Sequence, residues 1–197
     1  MRKKSSFLAV LIFLALLVPA VYAQDKNVQD AAYWRTEGDK HVAVKRYDDA
    51  IECYKKSFAM DPLYARTAYR IAFAYDVQRK FGESPPYLDR AMELVTSGKD
   101  TSKLPISDIY AEKGFILIQT GKPKEALPLY DLAIKGDPKW AYPVFWKAFA
   151  YYKLRDYDRA LELCNKVLQM EKDHTDALRL KAVIEKQISG PSSSSGE

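Results

Sequence analysis

The feature that most constrains the fold is that the chain matches itself at a shift of 34 residues. Trp34, Gly38, Ala50, Tyr54 and Pro62 are separated by 4, 12, 4 and 8 positions, and Tyr110, Gly114, Ala126, Tyr130 and Pro138 repeat that spacing. Ala68, Ala72, Ser84 and Leu88 stand 34 places after the first four of these. Val144, Ala148, Ala160 and Cys164 stand 34 places after their counterparts in the third copy. In helical terms each copy is a pair of antiparallel helices with small residues where the two cross. Gly38, Ala72, Gly114 and Ala148 on the first helix, and Ala50, Ser84, Ala126 and Ala160 on the second, allow a backbone approach near the ~8 Å limit of helix packing. Tyr54, Leu88 and Tyr130 then fill the space beside them. A Pro after the second helix, as at Pro62 and Pro138, stops it and turns the chain into the next copy.

Over residues 31–174 this pattern resembles the tetratricopeptide repeat, whose signature is a Trp, a small residue, an Ala, an aromatic and a Pro at these intervals. The resemblance implies an all-α fold, a right-handed α-α superhelix or solenoid of four helix pairs. The expected units are 31–64, 65–98, 107–140 and 141–174, with an insertion at 99–106. The insertion arises where the second copy lacks its closing Pro, and the run Ser97 to Pro105 is rich in turn formers, so it reads as a surface loop. The Gly that usually follows the first helix is present only at Gly121. Lys45, Arg79 and Arg155 replace it, and are expected to carry left-handed backbone at some cost. Glu37, Ile71, Lys113, Lys147 and Lys181 occupy one recurring position, where the lysines read as packed by their stems. Residues 175–188 form one more amphipathic helix, with Ala177, Leu178, Leu180, Ala182 and Ile184 as its apolar set, and read as the capping helix that ends a solenoid. Residues 189–197 are a polar Ser/Gly tail expected to be disordered.

Ahead of the repeats, residues 1–23 carry Arg2, Lys3 and Lys4, an apolar run from Phe7 to Val18, a break at Pro19, and small residues at Val21 and Ala23. That is the layout of a secretory signal peptide cleaved before Gln24, with 24–30 as a short linker. The rival reading is an uncleaved membrane anchor, but a span needs about 20 apolar residues and this run is shorter, with a proline near its end. The expectation is an exported chain, periplasmic or extracellular, with no membrane span after cleavage. Without residues 1–23 the charge falls from +5 to +2, with 28 basic against 26 acidic residues. A nucleic-acid partner is not expected of so balanced a chain. Cys53 and Cys164 lie in different copies and are expected to be unpaired.

The sequence contains no HExxH, GxSxG or GxGxxG, and neither His41 nor His174 has neighbours at metal-ligand spacing. No enzyme activity, cofactor or metal is expected. The resemblance implies that the inner wall of the superhelix comes from the second, fifth, sixth, ninth and twelfth positions of each first helix. One subgroup of the family grips the C-terminal carboxylate of chaperones with cations and amides there. Here those slots hold Arg35, Asp39, Arg70, Asp108 and Glu112, with anions in place of expected cations, so that activity is not expected. The wall instead offers Tyr69, Phe73, Phe115, Tyr142, Phe145, Trp146, Phe149 and Tyr152. This set is read as a groove for a protein or peptide partner. An envelope carbohydrate stacked on the rings, and a purely structural, self-associating role, are the alternatives. Phe73, Phe115 and Phe149 are each the ninth residue of their copies and are expected to form a ladder at its centre.

Overall fold

The computed structural model describes residues 29–189. Among them the chain forms nine helices and no strand: α1 (Ala31–Ala43), α2 (Tyr47–Met60), α3 (Ala65–Val77), α4 (Pro85–Thr96), α5 (Ile106–Gln119), α6 (Pro123–Gly136), α7 (Ala141–Lys153), α8 (Tyr157–Met170) and α9 (Thr175–Ser189). The signal segment before residue 29 and the tail from residue 190 lie outside the described residues. Each helix packs on the next along the chain, giving the expected all-α solenoid of four helix pairs and a closing helix.

The helix crossings are built as the repeat demands. Ala50, Ala72, Ser84, Ala126, Ala148 and Ala160 have no exposed surface, and neither do Leu88 and Tyr130 beside them. A Cβ on Gly114 would stand 2.7 Å from Cζ of Tyr130, so the first and second helices of the third pair approach as closely as they do only because that position has no side chain. The turns follow the expected chemistry too. Lys45, Arg79 and Arg155 adopt φ of 60°, 61° and 61°, the left-handed backbone that Gly121 takes at the same place in the third pair. Three cationic residues therefore accept a conformation natural to glycine, because ending the first helix there sets the angle of the second.

Helix starts are fixed by local donors and prolines. Asp30 accepts from the backbone N–H of Tyr33 at 2.7 Å and caps α1, and Nδ1 of His174 accepts from that of Ala177 at 3.2 Å in the first turn of α9. Pro85 and Pro123 open α4 and α6, where the missing N–H costs nothing. The inserted loop is tied down rather than merely solvated. The Asp100 carboxylate accepts from the backbone N–H groups of Ser102 (2.7 Å), Leu104 (2.8 Å) and Ala65 (3.0 Å), the last being the first residue of α3. Burial opposes the charge on Asp100, but these donors prevail and hold its carboxyl below the usual range. Leu104 is buried against the core of the second pair.

The recurring lysines link consecutive pairs. Lys113 reaches Asp89 of α4 at 2.6 Å, Lys147 pairs with Asp131 of α6, and Lys181 donates to Asn165 of α8 at 2.8 Å. They are tethers with packed stems, consistent with their reading in the sequence. Cys53 and Cys164 are both free and buried. In α9, Ala177, Leu180 and Ile184 are buried, whereas Leu178 and Ala182 of its expected apolar set face solvent.

Candidate functional site

The first helices α1, α3, α5 and α7, continued by α9, supply corresponding positions to one wall. A simple register governs it: the ninth residue of one first helix meets the sixth of the next. Between the first two pairs these are Asp39 and Arg70, joined at 3.0 Å. Between the third and fourth they are Phe115 and Trp146, with ring centroids 4.8 Å apart in an edge-to-face contact. Between the fourth pair and α9 they are Phe149 and Leu180, which line one cavity. Between the second and third the corresponding positions hold Phe73 and Glu112, and there Glu112 meets Asp76 instead. The wall therefore changes character along its length, from ionic to acidic to aromatic.

Trp146 is the hub of the aromatic part. Besides Phe115 it meets Phe145 and Phe149, each at 5.5 Å, and Tyr142 at 6.1 Å. Phe81 extends the network at one end through Phe115 (6.2 Å); at the other Tyr152 meets Phe149 (6.0 Å) and Tyr157 in turn meets Tyr152 (6.1 Å). Geometries of this kind each add about 0.5–1.5 kcal/mol beyond burial, so the rings form a pre-set surface. At its end Phe145, Trp146, Phe149 and Tyr152 of α7 and Asp176, Arg179, Leu180 and Val183 of α9 enclose an open cavity of about 430 Å³.

Of the residues expected in the groove, Tyr142, Phe115, Phe149 and Tyr152 are half-buried members of this network. Phe145 is only 8% exposed and stacks on His174 at 5.1 Å, so it serves the core as well as the cavity. Phe73 is 39% exposed, and no other ring pairs with it among the described residues. The expected ladder of Phe73, Phe115 and Phe149 is thus not a direct stack: Trp146 stands between the last two and touches both. Tyr69 packs against the core of the second pair, and burial followed by the charges of Glu112 and Asp108 pushes its hydroxyl far up.

Beside Tyr69 lies a second constellation. Asp76, the twelfth residue of its copy, and Glu112, the sixth of the next, are 3% and 4% exposed. The Ser84 hydroxyl donates to Asp76 Oδ2 at 2.9 Å, while Oδ1 is buried without an N–H or hydroxyl partner. Burial raises both carboxyls, and for Glu112 the charge of Asp76 adds to it, so Glu112 is the one that keeps a proton and hydrogen-bonds Asp76. No lysine or arginine is among the groups that shift either one.

Among the described residues no three His, Cys, Asp or Glu side chains are placed to hold a metal ion. No described helix is long and apolar enough to cross a membrane.

The chain's likeness to known proteins agrees with this architecture. A tetratricopeptide-repeat family model matches residues 107–139, and the model of the Fis1 C-terminal tetratricopeptide repeat matches residues 144–190. The third helix pair, and the fourth pair with α9, are thus similar in sequence to tetratricopeptide repeats. Among solved structures, YrrB is similar at 20% identity and a TM-score of 0.61, over 85% of this chain and 82% of its own. MamA is similar at 17% identity and a TM-score of 0.64, over 80% and 82%. MamA from Desulfovibrio magneticus RS-1 is similar at 13% identity and 0.66, over 80% and 85%. At these identities the likeness concerns the fold. No curated protein sequence matches significantly.

Within the 34-residue frame, sequence reasoning missed the α9 side of the wall and, although it placed Glu112 there, the pairing of Glu112 with Asp76. The α9 residues Asp176, Arg179, Leu180 and Val183 fall at the second, fifth, sixth and ninth positions of a fifth copy, so the register itself was a signal that the cap also lines the groove. Asp76 and Glu112 carried a weaker signal, because the inserted loop between them interrupts the period.

Proposed function

We propose that this chain is an exported, non-enzymatic scaffold that holds a segment of another protein along the inner wall of its tetratricopeptide repeats. The observation that carries the reading is the ring network centred on Trp146, which runs from Phe81 to Tyr157 and opens into the cavity between α7 and α9. Half-buried rings fixed by one another are rigid anchors, and they cost little entropy when a partner covers them. A long concave helical surface suits an extended or helical segment. YrrB, described as a tetratricopeptide-repeat protein with an unusual peptide-binding site, supports the use of this fold for peptides. The export reading rests on residues 1–23, whose cationic start, apolar run and small residues at Val21 and Ala23 fit a signal peptide; the compartment is then periplasmic or extracellular.

The test uses two exposed positions that can take a charge without disturbing the core. Val183 is 42% exposed and lines the cavity, while Leu132 is 43% exposed on the second helix of the third pair. Random peptides displayed on phage and panned on the protein should enrich a set that Val183→Glu no longer retains and Leu132→Glu retains. Equal retention by both variants, or no enrichment on the wild type, contradicts the reading.

A further inference from the structure

The groove has a buried acidic step that its aromatic anchors leave unexplained, and it points to the chemistry of what the groove holds. Asp76 and Glu112 face each other across α3 and α5 with almost no exposed surface. Two carboxyls in a dry site are expensive unless a proton or a cation sits between them. Here no basic side chain of the described residues takes that place. The groups around the pair are Tyr69 and Ser84 from α3 and its following turn, Tyr130 from α6 and Tyr142 from α7. All of them are neutral.

An independent observation comes from Tyr130. Its ring crosses Gly114 just as that of Tyr54 crosses Gly38. In the first pair the Tyr54 hydroxyl emerges on the inner wall and donates to Asp39 at 2.6 Å, and Asp39 in turn holds Arg70. In the third pair the residue corresponding to Asp39 is Phe115. The Tyr130 hydroxyl is therefore left fully buried with no partner, close enough to Glu112 to feel the ionisation of that carboxyl. The first pair thus shows a hydroxyl, a carboxylate and a guanidinium in place, and the middle of the wall shows the hydroxyl and the carboxylates without the cation.

We propose that the Asp76–Glu112 pair is a subsite for one cationic side chain, the guanidinium or ammonium of an Arg or Lys in the bound segment. Tyr69 and Tyr142 flank the charge, and the Tyr130 and Ser84 hydroxyls complete its surroundings. The pair is almost wholly covered, so a long side chain reaches the carboxyls where a backbone group does not. The incoming cation replaces the proton held by Glu112. Binding therefore releases a proton at neutral pH, and the proton shared with Asp76 holds the pair to a single negative charge while the groove is empty.

This inference rests on the peptide-binding reading above, and the test separates the two. Random peptides are panned on the full chain and on Glu112→Gln, Asp76→Asn and Val183→Glu. The expected result on the wild type is a set sharing apolar residues and one basic residue at a fixed place, with that basic residue no longer selected on Glu112→Gln or Asp76→Asn. In the best wild-type binder, exchanging the Arg for its neutral isostere citrulline, or a Lys for norleucine, should weaken binding by about tenfold or more. The same binder should release a proton, read as a dependence of calorimetric heat on buffer ionisation. Because the peptide exchange leaves the protein untouched, it holds even where a carboxyl variant folds poorly. Selected peptides without a basic residue, or unchanged affinity for the citrulline or norleucine peptide, overturn the cation subsite while the groove stands. A wild type that enriches nothing beyond Val183→Glu overturns both.

Discussion

The close crossing at Gly114 gives the array its most specific mechanical weakness. An alanine Cβ there would lie 2.7 Å from Cζ and 2.9 Å from Cε1 of Tyr130, against an ordinary carbon–carbon contact of about 3.5–4.0 Å. The ring is fully buried and cannot swing out, so either it or α5 must move by about 1 Å to restore that separation. Overpacking of this sort costs about 1–3 kcal/mol, and alanine returns about 1 kcal/mol of helix propensity. Gly114→Ala should therefore destabilise by up to about 2 kcal/mol, a melting temperature lower by up to about 8 °C for a chain of this size. Gly82, where an added Cβ would meet nothing within 4 Å, is the control, and Gly82→Ala should stay within about 0.5 kcal/mol of wild type. In the Tyr130→Leu background the obstacle is gone, and Gly114→Ala should become neutral or mildly stabilising. Urea melts of the four variants measure this coupling. A cost for Gly114→Ala that is the same in both backgrounds, or no larger than that of Gly82→Ala, refutes the crossing argument.

Two further outcomes concern buried polar groups. Tyr130→Phe removes a hydroxyl that has no partner in the empty protein and should leave stability unchanged or raise it, whereas Tyr54→Phe loses the 2.6 Å bond to Asp39 and should cost about 1 kcal/mol or more in the same urea melts. The Asp76–Glu112 pair should make stability fall as pH rises. Glu112, raised to about 8 in the folded chain, keeps a proton that the unfolded chain has lost, so its contribution is whole below the ordinary carboxylate range and disappears through neutral pH. At about 1.4 kcal/mol per pH unit over that window, wild type should lose on the order of 2–4 kcal/mol more than Glu112→Gln between pH 5 and pH 8.5; parallel curves for the two would remove the shared proton.

Most of the fold was legible in the sequence because the repeat is set by close crossings, and close crossings demand small residues at fixed intervals. Gly38, Gly114 and the alanines could be read one by one, as could the left-handed Lys45, Arg79 and Arg155, which take the place where the repeat usually has Gly. The wall was legible by position but not by partnership. Trp146 is one aromatic among eight until the ninth-to-sixth register makes it the hub between Phe115 and Phe149. Phe73 shares their register yet stands apart, since the corresponding sixth position of the next copy holds Glu112 rather than a ring. The carboxyl pair was hidden for a different reason: Asp76 and Glu112 lie on either side of the inserted loop, where the period slips by eight residues and adjacency in space no longer follows from the shift of 34. Leu180 and Val183 read as part of a solvating cap because amphipathicity alone does not say which flank of a last helix turns toward the groove.

Whether the inner wall is the surface that binds is the central question, and Trp146 can report on it directly. With Trp34→Phe and Trp140→Phe in place, Trp146 is the sole tryptophan of the chain. Titration with a peptide selected on the wild type should change its emission and shield it from acrylamide quenching, saturating at the affinity measured independently. Saturable binding of that peptide with the emission and quenching of Trp146 unchanged would place the partner elsewhere on the molecule and contradict the groove reading.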